Sequence, residues 1–130
     1  MRAILGLIFM IISVFGGDIV WQTSYKEAVE KAKNESKPMV LFMNQPGCGA
    51  CEYMKKNVLS DPQIVEYLNA HYVAVSLDIH KNDAPEQFQV KVTPVFHFVR
   101  GDGSIIQPTL IGGKTAPFFI KLLIKADEAQ

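Results

Sequence analysis

Cys48 and Cys51 are the only cysteines of the chain, and just Gly49 and Ala50 lie between them. A disulfide at that spacing closes a loop so short that it restrains the unfolded chain very little, so its structural benefit is small. A pair placed where it stabilises little is better suited to react. The chemistry open to it is thiol–disulfide exchange: one thiolate attacks a partner disulfide, a mixed disulfide forms, and the second thiol resolves it. Zinc is the competing use of cysteine. A structural zinc site needs four ligands, and His71, His80 and His97 stand at no close ligand-like spacing to the pair. No metal and no cofactor are expected, and the histidines read as surface, edge or core-facing imidazoles.

The residues on either side sharpen the reading. Met39-Val40-Leu41-Phe42-Met43 is a continuous apolar run between Pro38 and Asn44-Gln45-Pro46-Gly47, the pattern of a strand buried on both faces. The residues from Cys48 to about Leu59 read as a helix. A cysteine opening a helix meets unpaired backbone N–H groups and the positive end of the helix dipole. Both favour thiolate, so the Cys48 pKa is expected below the free value of about 8.5, and Cys48 is the expected nucleophile. Cys51, one turn on, is more enclosed and is the expected resolver. Gly49 leaves the surface above Cys48 open, and Ala50 keeps the helix regular.

The elements that must hold this unit follow from pattern. Ser24 and Glu27 form a capping box for a helix that begins the fold, with Tyr25, Ala28, Val29 and Ala32 on its apolar face, ending near Asn34. Ser60 or Asp61 caps a further helix, with Pro62 in its first turn, running to about Ala70. Tyr72 to Ile79 reads as a second strand, so strand–helix–strand implies a right-handed parallel crossover. Pro85 to Phe88 reads as a short helix, Val95 to Val99 as a third strand, and Gly101 to Ser104 as a turn. Ile105 opens the return strand, Gly112-Gly113 ends it, and Thr115 caps a last helix to about Lys125. Phe118, Phe119, Leu122 and Leu123 are its expected apolar face.

Met1-Arg2, the apolar stretch Ala3 to Phe15 and the small residues Gly16-Gly17 have the form of a secretory signal. The apolar run falls short of the roughly 20 residues that span a bilayer. Residues 1–17 are therefore expected to be a signal, with an uncleaved anchor as the alternative, and 18–130 a single domain exported to a periplasmic or other extracytoplasmic space. The 130 residues suit one core. With zero net charge and lysines interleaved with Glu, the chain has no basic surface of the kind nucleic acid requires.

Beyond residue 18 the chain resembles the thioredoxin superfamily. The strand, Cys48-Gly49-Ala50-Cys51 and helix carry most of the likeness, and Thr93-Pro94 ahead of Val95-Phe96-His97-Phe98 carries the rest. Trp21, Lys37-Pro38-Met39-Val40 and Val58-Leu59-Ser60-Asp61-Pro62 resemble an exported thioredoxin-like group. The resemblance implies an α/β thioredoxin-like fold, a central mixed sheet of about four to five strands with helices on both faces. It also implies a cis bond at Thr93-Pro94, where Thr93 offers backbone hydrogen bonds to an extended partner chain, with Gly112 beside the same groove. Three positions depart from the ordinary pattern: Gly47 stands where a Trp precedes the first cysteine, Phe42 where a buried acid lies six residues earlier, and Val75 where the next strand carries a lysine. Glu52 is the candidate proton relay in place of that acid, its plain alternative being a solvated helix-surface Glu.

The function that follows is disulfide exchange with exported protein thiols and disulfides, by a monomer. Gly-Ala between the cysteines does not set the direction of electron flow. The reading leans to a reductase or electron relay kept reduced by a membrane thiol donor, because a dimerising isomerase needs a further region that these residues do not hold. The rivals are a non-catalytic protein-binding or folding-helper module with an inert Cys48–Cys51 bridge, and metal delivery through the two thiols.

Overall fold

The structure is a computed structural model that describes residues 17–130; the expected signal lies outside the described residues apart from Gly17. Its elements are β1 (Trp21–Gln22), α1 (Tyr25–Glu35), β2 (Met39–Asn44), α2 (Gly49–Asn57), α3 (Pro62–His71), β3 (Val73–Asp78), a short 3₁₀ turn (Glu86–Phe88), β4 (Val95–Val99), β5 (Ile105–Ile111) and α4 (Ala116–Glu128). They form a five-stranded mixed sheet in the order β1-β3-β2-β4-β5. β2 pairs parallel with β3 and antiparallel with β4, so it lies at the centre.

Alternation along β2 explains why its run is apolar throughout. Met39, Leu41 and Met43 enter a core with Ala28 and Ala32 of α1, Val75 and Phe88. Val40 and Phe42 enter the opposite core with Cys51 and Met54 of α2, Leu68 of α3, and Phe119 and Leu123 of α4. Successive residues of a strand face opposite sides, so a strand covered on both sides has no polar positions to spare. Val75 is fully buried in the α1-side core.

Local capping sets the helix starts. Ser24 accepts the Glu27 N–H, and Asp61, not Ser60, accepts those of Gln63 and Ile64 with Pro62 at the first helical turn. Thr115 precedes α4 without a side-chain cap bond.

Four expectations are corrected. The described fold does not begin with a helix, because Trp21–Gln22 pairs in parallel with Ala74 and Val75 at the sheet edge. Two residues are too few for a periodicity to register. α2 stops at Asn57, and α4 continues to Glu128. The apolar face of α4 is Phe119, Leu123 and Ala126, while Phe118 is 48 % exposed; the last turn is anchored by the Tyr67 hydroxyl donating to Asp127.

Candidate active site

The central strand delivers the pair. β2 ends at Asn44, whose amide donates to Ser76 Oγ and to the Leu77 carbonyl, tying it to β3. The chain then turns through Pro46 and Gly47. Gly47 has φ +79°, a left-handed conformation that side chains disfavour, so the absence of a Trp before the first cysteine agrees with the local backbone.

Cys48 is the N-cap of α2, and its Sγ accepts the Cys51 N–H at 3.1 Å. Cys48 and Cys51 form a disulfide with Cα atoms 5.2 Å apart. The two sulfurs stand in different surroundings. Cys48 is half-buried between exposed Gly47 and Gly49. Cys51 has no exposed surface and shares the apolar cluster of Phe42, Met54 and Phe96. Phe42 lies under this corner, stacked on Phe96 at 4.8 Å and tilted against Trp21 at 5.8 Å.

Thr93 and Pro94 arrive on the β4 side. Because Met43 pairs with Val95, the residues entering β4 lie beside those leaving β2. The Thr93–Pro94 peptide bond is cis, and Gln45 Nε2 donates to Thr93 Oγ1 at 2.9 Å. Gly112 adopts φ +88° and donates its N–H to the Pro94 carbonyl at 2.8 Å, so it belongs to the same loop cluster. A groove of about 420 Å³ opens next to the pair, lined by Ala50, Tyr53, Gly113, Lys114, Thr115 and Phe118. Its floor is pinned where the Lys114 N–H meets Met54 Sδ at 3.3 Å.

Glu52 follows the buried Cys51 on the exposed surface of α2. Its carboxylate faces solvent and pairs with Lys55 at 3.4 Å. The histidines lie apart from one another. His71 contacts Asp127; His80 meets Gln45 Oε1 at 2.8 Å; His97 is buried, between the Phe88 carbonyl and Thr109 Oγ1. Among the described residues no three His, Cys, Asp or Glu side chains gather to hold a metal ion, and no helix is long and apolar enough to cross a membrane.

Sequence reasoning missed Gln45, His80, Tyr53 and Phe118. The first two had a readable signal: residues that leave neighbouring parallel strands at the same end emerge side by side. Tyr53 and Phe118 had none, since their meeting depends on how α4 packs beside α2.

Comparison with known proteins agrees with this geometry. The thioredoxin-related protein DsbJ of Chlamydia pneumoniae is 31 % identical over 65 residues, which are 49 % of this chain and 19 % of that protein. The chain thus spans about a fifth of that relative's length. The DsbH oxidoreductase structure superposes with a TM-score of 0.72 at 22 % identity, covering 91 % of this chain and 90 % of the other. A putative disulphide-isomerase from Bacteroides thetaiotaomicron gives 0.73 at 24 % identity, covering 88 % and 98 %; these two likenesses show the fold. The family of thioredoxin-like domains matches residues 25–127. A Cys-X-X-Cys disulfide at the start of α2, set in the central strand's loop of a five-stranded mixed sheet, places the chain in that thioredoxin-like family.

Proposed function

We propose that the chain is an exported thiol–disulfide oxidoreductase in which Cys48 is the nucleophile and Cys51 the resolving thiol. One observation carries the reading: a half-buried sulfur at a helix N-cap is paired with a fully buried sulfur one turn later. The Cys51 N–H and the helix dipole favour negative charge on Cys48 Sγ. A partner can reach that sulfur and cannot reach Cys51.

In the reducing direction the Cys48 thiolate attacks one sulfur of a partner disulfide, forming a mixed disulfide as the other partner sulfur leaves as thiolate. Cys51 then loses its proton and attacks Cys48 Sγ. The second partner thiol is released, the Cys48–Cys51 disulfide forms, and the partner has gained two electrons and two protons. Gly49, Ala50, Thr93, Pro94 and Gly112 shape the surface that the partner chain meets. The apolar groove with Tyr53 and Phe118 suits a polypeptide with exposed apolar side chains.

The apolar residues 3–15 and the similarity to Dsb-named proteins support export. A dithiol donor at the membrane would return the pair to its reduced state.

Reduction of insulin disulfides tests the chemistry. Cys48→Ser is expected to fall to background, and Cys51→Ser to accumulate mixed disulfides visible on non-reducing gels. Normal turnover by Cys48→Ser would exclude the mechanism. Redox titration sets the direction: a potential near about −270 mV marks a reductant and one near about −120 mV an oxidant.

A further inference from the structure

Three polar side chains from three different strand ends form a chain at the end of the sheet where β2 leads into the loop that carries Cys48. Asn44 and Asp78 are partners at the ends of β2 and β3, and the Ile79 N–H donates to the Asn44 carbonyl at 3.0 Å. That contact, with the His80 N–H on Asp78 Oδ1 at 2.9 Å, sets His80 next to Gln45. On the other flank the antiparallel register of β2 and β4 sets Thr93 next to Gln45. His80 Nε2 and Gln45 Oε1 are 2.8 Å apart, and Gln45 Nε2 and Thr93 Oγ1 are 2.9 Å apart.

The chain has a direction. An amide oxygen only accepts and an amide nitrogen only donates. Gln45 Oε1 therefore takes a proton bond from His80 Nε2–H, and Gln45 Nε2–H must give one to Thr93 Oγ1. Thr93 Oγ1 is held as an acceptor, and its own O–H has no acceptor among the described residues.

We propose that His80 and Gln45 are positioning residues that hold the Thr93 hydroxyl as a free donor toward the partner polypeptide, where it recognises a peptide carbonyl beside the disulfide under attack. The inference rests on the oxidoreductase reading and adds specificity to it. Neither residue touches the sulfurs. They select substrates that carry a carbonyl acceptor over disulfides that lack one.

Gln45→Glu tests the direction of the chain. A carboxylate still accepts from His80, but it cannot donate to Thr93, so it draws the Thr93 O–H toward itself and away from a partner. The readout is the ratio of kcat/KM on insulin to kcat/KM on hydroxyethyl disulfide, which has no carbonyl. A neutral hydrogen bond of ordinary net strength makes this ratio fall about fivefold in Gln45→Glu. His80→Ala frees the amide to turn over and lowers the ratio as well, while His80→Gln, which keeps an N–H donor, restores it. A role confined to loop stability moves both substrates together and leaves the ratio unchanged. An unchanged ratio in Gln45→Glu, at whatever absolute rate, overturns the inference and leaves the redox reading standing. Wild-type protein inactive on both disulfides overturns the redox reading and this inference with it.

Discussion

Asp83 holds the start of α1 from across the chain: Oδ1 accepts the Tyr25 N–H at 2.7 Å and Oδ2 the Lys26 N–H at 3.0 Å. Partial burial pushes its carboxyl up, but the N–H groups of Lys26 and Tyr25 outweigh that and hold it below its ordinary 3.8. Asp83→Ala should cost about 1 kcal/mol near neutrality, as lost helix caps do. A carboxylate whose folded pKa is depressed stabilises above its unfolded pKa and loses that contribution as pH falls through the folded value. Urea unfolding of wild type and Asp83→Ala should therefore differ at neutrality and converge below about pH 4. His97 gives the same slope, with a neutral form favoured by the fold in place of a charged one. Desolvation lowers its pKa from the ordinary 6.5, and the Phe88 hydrogen bond only partly offsets that. Since a carbonyl can only accept, Nε2 carries the proton and Nδ1 receives the Thr109 hydroxyl. The neutral ring is the native form, so its contribution is complete above 6.5 and declines as pH falls below it. Wild type should lose stability across that range more steeply than His97→Gln, measured by unfolding at stepped pH. The cap at Ser24 was legible in the sequence because it is local, although Glu27 Oε2 takes its bond from the Thr23 hydroxyl and not from the Ser24 N–H of a full capping box. Asp83 was not, since nothing in Asn82-Asp83-Ala84 says which helix it will meet.

At the scale of elements, the loop between β2 and α2 determines how the pair is presented. Gly47 takes a left-handed φ with no atom within 4 Å of where a Cβ would sit, so the constraint is backbone conformation and not space. Gly47→Ala should destabilise by about 1 kcal/mol, read from urea midpoints at unchanged slope. The strand–loop–helix order was plain from the apolar run and the two cysteines. What lies beneath was not. Phe42 could be seen to replace an acid, but its stacking on Phe96, and that of Phe96 edge-on against Phe119 at 4.9 Å, required β4 and α4 to be in place. That aromatic layer packs in one apolar cluster with Cys51, while the Glu52 carboxylate lies on the helix surface beside Lys55.

For the whole molecule, the sheet separates two cores, and β1 closes the edge of the one that holds Cys51. Ile19 is buried against that core, and Trp21 packs on Phe42. The Asp18 carbonyl and Val20 N–H are both held by Asn69 of α3. A chain beginning at Thr23 would expose Ile19's site and one side of Phe42, with an expected loss of about 2 kcal/mol from the apolar burial forgone. Chemical denaturation of the two lengths measures it, and the shorter chain should keep its helical circular dichroism. At the opposite edge, β5 carries Pro108, which has no N–H to offer, and a proline there discourages pairing with a further strand.

The sequence by itself determined the local facts: the apolar run of a doubly covered strand, a cap at Ser24 and one at Ser60 or Asp61, the cysteine pair opening a helix, and a Thr-Pro before a strand. Each depends on residues within a few positions of one another, where propensity and periodicity act. Tertiary structure alone decided what those features meet. Register between β2, β3 and β4 lined up His80, Gln45 and Thr93 at one end of the sheet. Packing of α4 beside α2 built the groove with Tyr53 and Phe118, and Phe119 and Leu123 of α4 joined the cluster that buries Cys51. Such contacts join residues far apart in the chain, and their free energy is realised only when the whole sheet has formed.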